Sequence, residues 1–184
     1  MAAHRRPQDD PPGGQAGPRQ AILCTCKLED KSNIITLAWT MIVSGNPPII
    51  AISVAPQRFS HNLIKKSGEF IINVPTKEII SKVHYCGSHS GKTVDKFKET
   101  GLTPLKGINV KCPRIEECIA HVECKVIDFK KYGDHTLFIG EVVTCFGRQD
   151  LLSGNEMNIE KVEIPYHLGG KKYTFNKKDI FRVN

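Results

Sequence analysis

No stretch of this chain approaches the roughly 18 consecutive apolar residues that a membrane span needs. The first 18 residues, MAAHRRPQDDPPGGQAGP, carry charge but no apolar core, so a secretory signal is not expected there. The seven cysteines, Cys24, Cys26, Cys86, Cys112, Cys118, Cys124 and Cys145, include no CxxC pair. Their odd number fits reduced thiols better than a disulfide framework, and hence a cytoplasmic setting. Cys112, Cys118 and Cys124 are separated by five residues each, which is not a usual zinc spacing, so no metal is expected. The GxGxxG fingerprint of a doubly wound nucleotide-binding sheet is missing. A Walker loop is excluded as well, because it would need glycine where Cys86 stands.

What is present is a chain of 184 residues, 40% hydrophobic, long enough for one sizeable core. The net charge of +7 is uneven: residues 171–184 supply +4 of it. A nucleic-acid binder would more often interleave basic and aromatic residues on a folded face, so a solvated basic tail is the simpler reading. Residues 1–18, rich in Pro and Gly, read as a disordered leader. Residues 19–176 read as one domain and 177–184 as a basic C-terminal tail.

Short β-branched runs bounded by Gly, Pro and Asn predict strands over Ala21–Lys27, Ile34–Val43, Ile49–Val54 and Glu69–Val74. Longer ones are predicted over Ile119–Phe129 and His135–Phe146, with a last strand near Lys172–Phe175. Three short helices are expected: one capped by Ser60 and running through Lys66, one over Lys77–Tyr85 capped by Thr76, and one over Val94–Thr100 capped by Thr93. Six or seven strands with few short helices point to a mainly β fold, a closed or nearly closed antiparallel barrel.

Four segments carry polar chemistry. Around Ser53, Val54, Arg58, Phe59 and Ser60 a strand gives way to a helix, where free N–H groups and a guanidinium favour an anion. Ser90, Gly91 and Lys92, followed by Lys96, form a second small-residue loop of the same character. Thr36, Leu37, Ala38, Trp39 and Thr40 interrupt a strand, and a planar ring could lie along such an edge. Taken alone, however, Trp39 reads as a core tryptophan. His135 enters a strand directly after a turn and, taken alone, reads as a structural histidine.

Taken in order, these segments, with Pro47–Ser53, Ser67–Val74 and Gly133–Val142, resemble the flavin reductase-like proteins, particularly their flavoredoxin branch. The likeness runs from about Arg19 to Phe175. It implies an FMN-binding split β-barrel of antiparallel Greek-key type, forming a homodimer with flavin mononucleotide (FMN) near the interface. It also implies that Thr36–Thr40 run along the flavin ring, while Ser53–Ser60, Ser90, Gly91, Lys92 and Lys96 hold the ribityl chain and phosphate. His135 would sit where a nicotinamide stacks. The expected function is that of an NAD(P)H-dependent flavin or ferric reductase, passing hydride from NADH or NADPH to flavin N5. The alternative is an electron carrier with tightly bound FMN and no nicotinamide site, whose basic C-terminus steers an acidic redox protein.

Overall fold

The computed structural model describes residues 17–154 and 156–180, so the leader expected over residues 1–18 and the end of the basic tail lie largely outside the described residues. The strands are β1 (Arg19–Gln20), β2 (Ile22–Leu28), β3 (Lys31–Leu37), β4 (Thr40–Gly45), β5 (Pro48–Val54), β6 (Glu69–Val74), β7 (Pro104–Leu105), β8 (Arg114–Ile115), β9 (Ala120–Tyr132), β10 (His135–Gly147), β11 (Leu152–Ser153), β12 (Glu156–Met157), β13 (Pro165–Gly169) and β14 (Lys172–Phe175). The helices are α1 (Phe59–Ser67), α2 (Ile80–Ser88), which follows one 3₁₀ turn at Lys77–Ile79, and α3 (Lys96–Thr100).

Seven strands form the main sheet in the order β3-β2-β6-β9-β10-β5-β4, and neighbours are antiparallel throughout. The two edge strands, β3 and β4, are consecutive in the chain. Only Ala38 and Trp39 separate them. Laid flat, edges six strand spacings apart would stand roughly 29 Å from each other. The backbone from Leu37 to Thr40 reaches at most about 11 Å. The sheet must therefore curl, and it does: the β3 edge comes into contact with β5, the strand next to the opposite edge. The non-sequential pairings β2–β6 and β10–β5 are the Greek-key crossovers. The mainly β, split-barrel expectation holds.

Two apolar layers follow from alternation along β2. Ile22, Cys24 and Cys26 face the barrel interior with Ile52, Val54, Phe70 and Phe138, and α1 packs Leu63 and Ile64 onto the same cluster. Ala21 and Leu23 face the other way, against Val83 and Cys86 of α2. Both faces of β2 are thus covered, and the polar Thr25 on the second face is buried with its hydroxyl donating to the Pro113 carbonyl at 2.6 Å.

Several predicted bounds are corrected. Ile34–Val43 is two strands, not one. Thr76 caps no helix through its side chain, and α2 runs on through Gly87. The helix predicted over Val94–Thr100 begins only at Lys96, and its cap is Asp95, whose Oδ1 accepts from the Phe97 and Lys98 N–H groups. Ser60 is not a cap either: the extended residue before α1 is Arg58, and Ser60 lies inside the first turn.

Candidate functional site

The break between β3 and β4 opens onto a cleft of about 370 Å³. One wall is the strand itself, Thr36, Leu37, Ala38 and Trp39, with Ser53 and Val54 from β5 and His135 from β10. The facing wall is the C-terminal end of α2, with His84, Gly87 and Ser88, and the β13–β14 hairpin, with His167, Gly170 and Tyr173. Thr36 fastens the two walls, because its hydroxyl donates to the Val83 carbonyl at 2.5 Å. Thr40 lies outside this cleft; it lines a shallower depression of about 330 Å³ on the outer face of β4 with Met41, Ala51 and Leu137.

A smaller polar pocket of about 170 Å³ shares Ile35, Arg58, Gly87 and Ser88 with the cleft, so the two form one groove. Its floor holds Asn33, Phe59, Ser60 and Lys96, and its rim holds Ser90 and Gly91. The Asn33 amide donates to the Ser60 hydroxyl at 2.8 Å, both residues being buried. Gly91 must be glycine here: a Cβ would collide with the Asn33 side chain and come within 2.9 Å of the Phe59 ring.

Charge at this pocket is arranged in two layers. Arg58 is exposed at its mouth, and none of the ion pairs among the described residues uses it. Lys96 lies beneath, 4% exposed. Its ammonium donates to the Ile34 carbonyl at 2.7 Å and the Cys86 carbonyl at 2.6 Å, leaving one N–H uncommitted. Burial lowers its pKa. The Cys86 carbonyl belongs to the last turn of α2, whose C-terminal end carries partial negative charge, and Lys96 offsets that charge where an anion would otherwise be repelled. Lys92, by contrast, is exposed and lines neither cavity. The anion pocket is therefore built from one helix start, at α1, and from the loop after α2. From the start of α3 the pocket takes only the buried Lys96 side chain, because the Phe97 and Lys98 N–H groups are already bonded to the Asp95 carboxylate.

Trp39 is not a core residue: it is 42% exposed, and the His135 ring stacks obliquely on it, centroids 4.5 Å apart at 38°. His135 Nδ1 is 2.8 Å from the Asp134 carboxylate, which fixes Nδ1 as the protonated nitrogen and directs Nε2 away from it. The same hydrogen bond lowers the Asp134 pKa. The lining residues that the sequence reading missed include the histidines and tyrosine of the facing wall, His84, His167 and Tyr173. No local motif marks them, since Tyr173 meets His84 from 89 positions away in sequence.

The whole groove suits a flat polar ring ending in an anion. The ring would have a strand edge, two aromatic side chains and small residues beside it, and the anion would have Arg58, the N–H groups of α1 and Lys96. Comparison with known proteins agrees. An uncharacterised protein of Pyrococcus abyssi is 33% identical over 166 residues, covering 90% of this chain and 95% of its own. The structure of an FMN-binding protein of Thermus thermophilus, with bound p-hydroxybenzaldehyde, superposes with a TM-score of 0.87 at 25% identity over 100% of both chains. The flavoredoxin of Desulfovibrio vulgaris (Miyazaki F) superposes with a TM-score of 0.86 at 26% identity, over 98% of this chain and 97% of that one. The family model described as the flavin reductase like domain matches residues 16–163, and the chain belongs to that family of FMN-binding split barrels.

Proposed function

We propose that this protein binds FMN in the groove and works as an NAD(P)H-dependent flavin oxidoreductase. The observation that carries the reading is the continuity of the aromatic-walled cleft with the Arg58–Lys96 pocket, which matches a ring and a phosphate in one molecule. Bound FMN would supply a ring that accepts a hydride and releases electrons one or two at a time. The chain's own residues bind and orient. Arg58 and the α1 N–H groups hold the phosphate. Thr36–Trp39 lie along the ring, with backbone groups at its polar edge. His135, held by Asp134 and by Trp39, orients the nicotinamide and shields the site from water. That the FMN-binding Thermus protein also binds p-hydroxybenzaldehyde supports a second, small planar ligand for this fold.

A homodimer belongs to the same proposal. Met41, Ile42 and Val43 stand 61%, 76% and 48% exposed in a row on β4, an apolar band that a second copy would cover. The cysteines are all unpaired thiols, in keeping with a reducing compartment such as the cytoplasm. No helix among the described residues is long and apolar enough to cross a membrane.

The electron-carrier reading draws on one feature, the exposed Lys65 of α1, whose ammonium lies over the Phe129 ring, together with the exposed Lys130 and Lys131 that follow Phe129 on β9, which suit an acidic partner. One experiment separates the two. The purified protein is expected to be yellow, and anaerobic mixing with NADH or NADPH to bleach it within the mixing experiment. A yellow protein that neither nucleotide reduces overturns the reductase in favour of the carrier; a colourless protein that takes up no FMN overturns both.

A further inference from the structure

We propose that Tyr173, His84 and His167 form a carbonyl-binding subsite for a small planar conjugated ring, with the Tyr173 hydroxyl holding the carbonyl oxygen. The subsite rests on the flavin reading above, because it lies in the same cleft, but its residues come from elsewhere. His167 and Tyr173 lie beyond the stretch matched by the family model, which ends at residue 163.

Tyr173 is the hub. Its ring packs against the apolar layer under α2. The His84 ring meets it edge-on at 6.0 Å and the His167 ring lies 5.2 Å away. Its hydroxyl is 3.3 Å from His84 Nδ1. His167 Nε2 is 3.1 Å from the Gly170 carbonyl, and that oxygen can only accept. Nε2 therefore carries the proton, and neutral His167 keeps Nδ1 as an acceptor. Burial raises the Tyr173 pKa, so the phenol stays protonated and able to donate.

The electrostatics of the cleft restrict the occupant. Apart from Arg58, at the far, phosphate-binding end, its lining holds no Lys, Arg, Asp or Glu. Charged ligands find no partner at the Tyr173 end. A hydroxyl and two imidazoles against apolar ring faces suit an uncharged flat molecule carrying one strong acceptor oxygen. A conjugated carbonyl fits that description. Two sources share this chemistry: the carboxamide of a nicotinamide, and an aromatic aldehyde or cyclic enone serving as electron acceptor.

The test uses the full chain loaded with FMN, titrated with 4-hydroxybenzaldehyde and separately with NAD+, which binds without reducing the flavin. The readout is the perturbation of the visible flavin spectrum. p-Cresol, which lacks the carbonyl, is the control. At least one carbonyl probe is expected to bind wild type. Its affinity should fall about 5- to 20-fold in Tyr173→Phe, the size of one lost hydrogen bond. His84→Gln should lose less, p-cresol binding should not move, and FMN affinity should stay within about two-fold. The probe whose affinity falls identifies the source. Equal binding of both probes to wild type and Tyr173→Phe overturns the subsite, as does no binding of either. Parallel loss of FMN in Tyr173→Phe would place the tyrosine on the flavin instead and also overturn it. A wild-type chain that takes up no FMN refutes the flavin reading itself, a result distinct from an FMN-loaded protein indifferent to Tyr173, and the subsite falls with it.

Discussion

Trp39 and His135 meet face against tilted face, 4.5 Å apart, although one sits at the break between two edge strands and the other begins a long hairpin strand. The contact exists because both flank β5: the Trp39 carbonyl accepts from the Ser53 N–H on one side, and β10 pairs on the other through Thr136↔Val54 and Leu137↔Ser53. Trp39, 42% exposed with an imidazole laid on it, presents an aromatic face at the cleft. Replacing His135 with Ala is expected to slow NAD(P)H oxidation by about 10- to 100-fold, as the loss of an orienting group would, while FMN binding changes little. Single-turnover flavin bleaching would measure it. An unaltered rate removes His135 from the reaction.

Among the described residues, Arg58 is the one arginine that lines the groove, and the proposal gives it the phosphate. For Arg58→Ala, FMN affinity is expected to fall by about 10- to 100-fold, the usual size for a lost charge-assisted hydrogen bond. Riboflavin, which has no phosphate, should bind the variant and wild type alike. Equilibrium titration by flavin fluorescence compares the two ligands. If riboflavin weakens as much as FMN does, the arginine is holding the ring or the fold and not the phosphate.

Gly91 is the closest backbone approach in the pocket. A Gly91→Ala side chain has nowhere to go: it would press Asn33, and Asn33 in turn holds Ser60. The expected result is loss of about 1–3 kcal/mol of stability, typical of overpacking, together with weakened FMN binding. Thermal denaturation with and without excess FMN checks both. A variant as stable as wild type and with unchanged FMN affinity would mean that the loop simply shifts outward.

Much of this arrangement was legible in the sequence, and the failures share a cause. The β-branched runs fixed most strands, and the Arg58 and Ser90–Gly91 segments do converge on one pocket. The break at Ala38–Trp39 was invisible because it contains neither Gly nor Pro. It is imposed by closure of the sheet, a non-local requirement. Trp39 read as core for the reason large aromatics usually are, and only the tertiary fold exposes it. Ser60 looked like a cap because capping rules see local spacing, yet its hydroxyl is claimed by Asn33, 27 positions earlier. Lys92 and Lys96 looked equivalent in sequence, and the fold buries one and exposes the other. His84 and Tyr173 had no signal at all, since their partnership is made by a hairpin at the other end of the chain.

Acid sensitivity should trace to His121. It is buried on β9, and its Nδ1 lies 2.9 Å from the Asn73 side-chain oxygen, which also accepts from the Ile115 N–H. The Asn73 amide nitrogen is spent on the Leu23 and Ile71 carbonyls and the Thr25 hydroxyl, so its oxygen must be the acceptor and His121 Nδ1 the donor. Burial, with Arg114 adding to it, pushes the His121 pKa down from 6.5 to about 4. In the unfolded chain the residue titrates at its ordinary value. Between pH 6.5 and about 4 the unfolded state therefore binds a proton that the folded state refuses, and stability falls as pH falls through that window, by up to about 3 kcal/mol. Above pH 6.5 both states are neutral and the residue adds no pH dependence. His121→Asn keeps a donor for Asn73 without a titrating group. Its stability, measured by urea denaturation at pH 7 and pH 4.5, should fall less between the two than that of wild type. Parallel pH profiles would show that the acid loss arises elsewhere, and that the fold does not depress the pKa of this imidazole.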